Sequence, residues 1–141
     1  MFKNLINGEW VDGPRASRNI NPSDTRDLIG EYAQADVAQA RAAIAAARAA
    51  FGRWSLSTPQ QRFDVLDAAG TEILARRAEL GDLLAREEGK TLPEAIGEVV
   101  RAGNIFKFFA GEALRVGGEV IPSVRPGVGV EVTREPSAWW A

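Results

Sequence analysis

Apolar positions fall at helical spacing along much of the chain from Asp36 onward. Val37, Ala40, Ile44, Ala47 and Phe51 recur every three or four residues with alanine between them. That spacing predicts a helix closed by Gly52. Asp36 is a suitable N-cap, with Gln39 three residues later to complete a capping box. Thr58, Pro59 and Gln61 announce a second helix: a cap, a proline in the first turn and a glutamine to close the box. Its stripe is Phe63, Leu66, Gly70, Ile73 and Leu74. Helix continues from Arg77 through Leu84 after a kink near Ala78, and Gly89 fits the left-handed position just past a helix end. Thr91 and Glu94 read as a third capping box, with Pro93 as the first helical residue.

The fourth helix, from Pro93 to about Leu114, differs from the others. One stripe is Ile96, Val99, Gly103, Phe106 and Ala110, while the other side carries Ile105, Phe108 and Phe109. A helix apolar on two sides is built to lie between two layers. The remaining elements supply cover for one side only, so a second layer is expected to be missing from these residues.

Extended segments flank the helices. Lys3 to Val11 reads as strand with Asn7-Gly8 as a turn signal, and Arg18–Asn21 and Asp27–Ala33 form a second pair around Asn21-Pro22-Ser23-Asp24. After Gly117-Gly118, Glu119–Val124 and Val128–Thr133 form a hairpin around Arg125-Pro126-Gly127. Val128, Val130 and Val132 alternate with small or polar residues, the pattern of a half-buried strand. The expected fold class is α+β: short antiparallel strands, about four helices, then a β-hairpin.

Composition removes whole classes of chemistry. The 141 residues contain no Cys and no His and carry a net charge of −2. Without them there is no disulfide, no thiolate or imidazole metal site, and no Ser–His or Cys–His catalysis within these residues. The charge gives no reason to expect nucleic acid or an anionic membrane as partner. No run is long and apolar enough to span a bilayer, and the first residues lack a secretory signal, so a cytoplasmic setting is expected.

Two ordered sets of residues carry a resemblance. Glu87-Glu88-Gly89-Lys90-Thr91-Leu92-Pro93-Glu94, running on to Phe108-Phe109-Ala110-Gly111-Glu112-Ala113, is similar to a helix–turn–helix in NAD(P)-dependent aldehyde dehydrogenases. Ile6-Asn7-Gly8-Glu9-Trp10 and Asn21-Pro22 resemble the strands that open that family. The likeness extends from about Leu5 to Pro136. It implies an α/β enzyme in which a cysteine attacks an aldehyde, a hydride passes to NAD or NADP, and a glutamate-activated water releases the acid. None of those groups is present here, so no catalytic and no cofactor-binding residue is assigned, and no cofactor is expected to bind this chain. The local sequence looks most like enzymes acting on dicarboxylic semialdehydes such as 2-oxoglutaric semialdehyde.

The resemblance divides the chain into residues 1–114, the N-terminal strands and helices of an incomplete cofactor-binding domain; 115–136, an oligomerisation-type hairpin; and 137–141, an aberrant tail. It implies a homo-oligomer formed through the 119–134 hairpin. Thr133-Arg134-Glu135-Pro136 is normally followed by a strand such as Val-Gly-Val-Val-Gly; here Ser137-Ala138-Trp139-Trp140-Ala141 follows. Deleting one G from CCG GTC GGC GTG GTG GGC gives CCG TCG GCG TGG TGG GC, which encodes Pro-Ser-Ala-Trp-Trp-Ala. A single-base frameshift, genuine or from sequencing, is therefore expected to have ended the reading frame early, against a selected aromatic tail.

Two residues are candidates for binding. Leu80, Leu83, Leu84 and Glu87 fall at i, i+3, i+4 and i+7, so Glu87 is expected to point inward, where a carboxylate needs a partner. In the family the acidic residue here helps hold a structural monovalent cation; the alternative is a salt bridge to Lys90. Arg101 shares the second face of the fourth helix with Ile105 and Phe108. In related enzymes that position lines the aldehyde tunnel, where a guanidinium would grip a distal carboxylate; the alternative is an ordinary surface arginine. Gly127-Val128-Gly129 begins like a dinucleotide fingerprint but lacks its third glycine and leads into a strand. A different class stands beside the enzyme reading: a self-standing helical interaction module pairing through its valine-rich ribbon and Trp139-Trp140.

Overall fold

The computed structural model describes residues 1–136. The Trp139-Trp140 tail and its frameshift reading lie outside the described residues. Strands β1 (Asn4–Ile6) and β2 (Glu9–Val11) pair around a two-residue turn, with Ile6 opposite Glu9. Asn7 and Gly8 both take positive φ, 53° and 81°. That is the twist a two-residue hairpin requires, and it explains the choice of Asn-Gly.

β3 (Arg15–Ile20) and β4 (Leu28–Gln34) form a second antiparallel pair, with a register irregularity at Asn19/Ile20. β3 starts three residues before the expected Arg18. Phe2 ties the N-terminus to this pair: its N–H donates to Glu31 O at 2.7 Å, and its ring stacks on Tyr32 at 5.0 Å.

α1 (Val37–Trp54) follows its N-cap Asp36, whose carboxylate accepts from the Gln39 N–H at 2.8 Å. The capping box does not close: the Gln39 amide instead donates to Asp12 O at 2.6 Å, tying α1 to the loop after β2. Gly52 lies within the helix, which runs on to Trp54 and ends at Ser55. A glycine inside a helix costs only about 1 kcal/mol, which the surrounding alanines tolerate. α1 contains no buried residue.

α2 (Pro59–Ala75) has the expected complete box: the Gln61 N–H donates to Thr58 Oγ1 at 3.2 Å and the Thr58 N–H to Gln61 Oε1 at 2.9 Å. α3 (Arg77–Glu88) begins after a break at Arg76 and ends at Gly89 with φ 70°. α4 spans Leu92–Ala113. Its start departs from expectation. Leu92 takes the first helical position, Pro93 the second, and Thr91 Oγ1 bonds the Glu94 carboxylate at 2.7 Å rather than a backbone N–H.

The core lies where α2 and α3 meet one side of α4. Ala95 and Ala110 are fully buried and Val99 is 8% exposed. Gly70 of α2, Gly81 of α3 and Gly103 of α4 are buried with them. A Cβ at Gly70 would meet Gly103 O at 2.9 Å, and one at Gly81 would meet Ile96 Cα at 3.0 Å. Small residues thus let the helix backbones approach closely.

β5 (Glu119–Pro122) and β6 (Gly129–Val132) form the last hairpin, shorter than expected at the turn side. All eight of its residues are exposed, so the half-buried pattern is not realised among the described residues. No other element covers either face of this ribbon enough to bury a valine: Val130 stays 39% and Val132 45% exposed.

Candidate functional site

The buried side of α4 fixes what its other side presents. With Ala95, Val99, Gly103 and Ala110 packed inward, Arg101, Asn104, Ile105, Phe108 and Phe109 face out. Ile105 is 45%, Phe108 58% and Phe109 55% exposed. The two phenylalanine rings meet edge to face at 5.3 Å, so part of this surface is pre-ordered. Arg101 is exposed and enters no hydrogen bond or ion pair among the described residues. A guanidinium with all its donors open, at the edge of an apolar face, suits an amphipathic anion.

Glu87 is placed differently from expectation. It is exposed, and Oε1 accepts from the Asn19 amide at 2.7 Å. It does not point inward: Gly81 is the residue of α3 set closest against Ile96 of α4, and Leu83, one turn before Glu87, is itself 38% exposed. Nor does it pair with Lys90, whose ammonium meets Glu88 at 2.5 Å and Glu98 at 2.7 Å. Both carboxylates, Glu88 first, raise the Lys90 pKa and hold it charged. Among the described residues no three His, Cys, Asp or Glu side chains converge as a metal-ligand group.

Glu87 instead belongs to a polar seam joining α3 to the β3–β4 pair. Arg86 grips Asp27 with two prongs, Nε to Oδ2 at 2.8 Å and Nη2 to Oδ1 at 2.6 Å. The Asn21 amide donates to the same carboxylate at 3.1 Å. Arg86 first, then Asn21, hold the Asp27 carboxyl well below its usual range, at about 2. Ser23 Oγ donates to Gly89 O at 3.2 Å, closing the seam at the end of α3.

Sequence reasoning missed one cluster. Arg62, Arg115 and Arg134 line a cavity of about 470 Å³ with Leu66, Phe109, Glu112 and Val116. Each guanidinium is already engaged: Arg62 with Ser57 Oγ and Ser55 O, Arg115 with Glu112, Arg134 with Gly117 O. Arg62 thus holds the loop before α2, Arg115 the last turn of α4, and Arg134 the base of the ribbon. Of these only Arg115–Glu112, three residues apart, follows a helical period; the partners of Arg62 and Arg134 lie in loops, which no period signals.

The described residues do not fit a dinucleotide. Gly127 has φ 74° and serves the β5–β6 turn, and β6 rather than a helix N-terminus follows Gly129. No parallel strand pair with a glycine-rich crossover is present among them to cradle a pyrophosphate. No helix is long and apolar enough to cross a membrane.

Short antiparallel pairs leading into three helices packed through glycine, with no dinucleotide cradle, define a partial fold. Comparison with known proteins supplies the rest. The sequence profile of the aldehyde dehydrogenase family matches residues 10–141, and the chain belongs to that family. It is 35% identical over 136 residues to the α-ketoglutarate semialdehyde dehydrogenase of Haloferax volcanii, covering 95% of this chain and 28% of that one. It is 34% identical to the α-ketoglutaric semialdehyde dehydrogenase of Bacillus subtilis, covering 96% and 28%. Among solved structures, betaine aldehyde dehydrogenase from Staphylococcus aureus superposes with a TM-score of 0.88 at 33% identity over 96% of this chain and 28% of that one. The chain therefore spans little more than a quarter of the proteins it matches.

Proposed function

We propose that these residues form the N-terminal share of an enzyme that oxidises a dicarboxylic semialdehyde to its acid with NAD or NADP. Arg101 would bind the substrate's distal carboxylate, and the 141 residues alone would be inactive. The observation that carries this reading is an unpaired, exposed Arg101 beside Ile105 and Phe108, on a face of α4 turned away from the core. Similarity to semialdehyde dehydrogenases supports it, since their substrates end in a carboxylate. The absence of cysteine from the sequence supports the inactivity, because the chemistry implied needs a thiolate. The β5–β6 ribbon, with free edges and exposed valines, would join subunits in such an enzyme. The exposed carboxylate of Glu87 stands available to a monovalent cation in the same setting.

The test grafts residues 10–136 onto the remainder of the Bacillus subtilis enzyme. The chimera should reduce NAD⁺ or NADP⁺ with 2-oxoglutaric semialdehyde. Arg101→Ala in it should raise KM for that substrate by roughly 10- to 100-fold, the worth of a hydrogen bond to a charged group. KM for an uncharged aldehyde of similar length should not move. An unchanged semialdehyde KM removes Arg101 from substrate binding. Turnover by the purified 141-residue chain, with a mass ending at Ala141, removes the claim of inactivity.

A further inference from the structure

One glycine of α4 is not explained by packing among the described residues. Gly70, Gly81 and Gly103 let helix backbones meet, but a Cβ at Gly97 would find nothing within 4 Å. A glycine in a helix interior weakens the helix, so its place here calls for another reason. Arg101 follows at i+4 and Asn104 at i+7, which puts the three on one flank of α4. All three are exposed, and neither Arg101 nor Asn104 enters a hydrogen bond or ion pair among the described residues. Helical side chains lean toward the N-terminus, so Arg101 leans back toward Gly97 and Asn104 toward Arg101. Gly97 is thus a notch in the helix surface, with a guanidinium at its side and a carboxamide just beyond. Ile105 and Phe108, 45% and 58% exposed, continue the face.

The order along α4 is notch, cation, neutral donor, apolar pair. A 2-oxo semialdehyde has a matching order from its distal end: carboxylate, ketone oxygen, methylenes, then the aldehyde. On the reading that Arg101 holds the distal carboxylate, we infer that Asn104 determines specificity by donating its side-chain N–H to the 2-oxo oxygen, with Gly97 giving the carboxylate room. The face need not stay open for this. Residues that enclose the substrate from the opposite side leave these contacts in place. A carboxamide suits the role, because an enclosed donor left unpaired discriminates against a substrate that lacks the acceptor.

The same chimera tests it with two substrates of one length: 2-oxoglutaric semialdehyde, and glutaric semialdehyde, which lacks only the 2-oxo oxygen. Arg101→Ala should raise KM for both, since both end in a carboxylate. Asn104→Leu keeps bulk and loses the donor. It should lower kcat/KM for the 2-oxo substrate by about 3- to 10-fold, the worth of a neutral hydrogen bond, and leave that for glutaric semialdehyde unchanged. Asn104→Ala should give the same split, which separates loss of the donor from the bulk of leucine. Gly97→Ala should raise KM for both substrates, because its methyl group enters the notch.

Asn104 variants that leave the ratio of the two kcat/KM values unmoved overturn the inference. So does an unchanged KM for both substrates in Gly97→Ala. Arg101→Ala that weakens both substrates, beside Asn104→Leu that shifts no ratio, keeps Arg101 in its place and removes Asn104 alone. Arg101→Ala that weakens neither removes both. Failure of the distal carboxylate contact and failure of the 2-oxo contact are thereby told apart.

Discussion

Replacing Gly70 by alanine gives the sharpest test of how the helices are held. In an exposed helix interior, glycine to alanine is favourable by about 0.4–1 kcal/mol, through propensity and a stiffer unfolded chain. At Gly70 the added Cβ would lie 2.9 Å from Gly103 O, 3.1 Å from Lys107 Cγ and 3.2 Å from Phe106 Cβ. The nearest atom is backbone of α4, so the contact is relieved only by moving one helix off the other. Overpacking of this kind costs roughly 1–3 kcal/mol. After the propensity gain, a net loss of about 1–2 kcal/mol is expected. Gly97 provides the internal control. It is exposed on α4, nothing lies within 4 Å of its would-be Cβ, and Gly97→Ala should stabilise by about 0.5–1 kcal/mol. Urea unfolding followed by circular dichroism at 222 nm measures both on one scale. The two variants should move the midpoint in opposite directions. A Gly70→Ala chain as stable as wild type, or shifts of the same sign and size in both variants, would refute close backbone packing of α2 on α4.

Other outcomes follow from single contacts. Asp27 is held at about 2 by Arg86 and Asn21, below its value in an unfolded chain near 4. Its contribution is thus complete above pH 4 and lost as pH falls toward 2, so acid unfolding of Asp27→Asn should be less steep over that window than that of wild type. Thr58→Ala removes the side-chain half of the capping box on α2 and should cost about 1 kcal/mol in the same urea assay. Gly89→Ala forces a side chain into φ 70° with Pro22 Cγ and Ser23 Oγ at 2.8 Å, and should cost about 1–2 kcal/mol or more. It should also release Ser23 from Gly89 O, visible as faster exchange of amides in the β3–β4 turn.

Helix limits were legible wherever a polar cap met a periodic run. Thr58, Gln61 and Gly89 each sit where the pattern put them, and the kink near Ala78 is the break at Arg76. Gln39 and Thr91 fit the same motif but made other bonds, because the loop at Asp12 and the Glu94 carboxylate competed for them. The two-sided character of α4 was legible too, and its second side is exposed as the pattern implied. Glu87 was misread for a definite reason. A hydrophobicity stripe gives leucine weight and glycine none, whereas α3 meets α4 through Gly81. Where helices pack by the absence of side chains, the contact face is the one a pattern search scores lowest. The Arg62–Arg115–Arg134 cavity was illegible apart from the Arg115–Glu112 pair at helical spacing, since the other bonds go to loop carbonyls and a hydroxyl.

The first helix carries a consequence of another kind. Nine of the eighteen residues from Val37 to Trp54 are alanine, and none of the eighteen is buried. Its helicity therefore rests on intrinsic preference, the Asp36 cap and the Gln39 anchor far more than on packing. Such a segment responds to heat as a peptide does, fraying from its ends over a broad span of temperature. The glycine-packed helices α2, α3 and α4 have a core to lose all at once. Warming the chain should therefore lower its ellipticity in two modes, a gradual slope belonging to residues 37–54 followed by a sharper step. An observer who fitted a single transition would assign to the whole molecule a cooperativity that only part of it possesses.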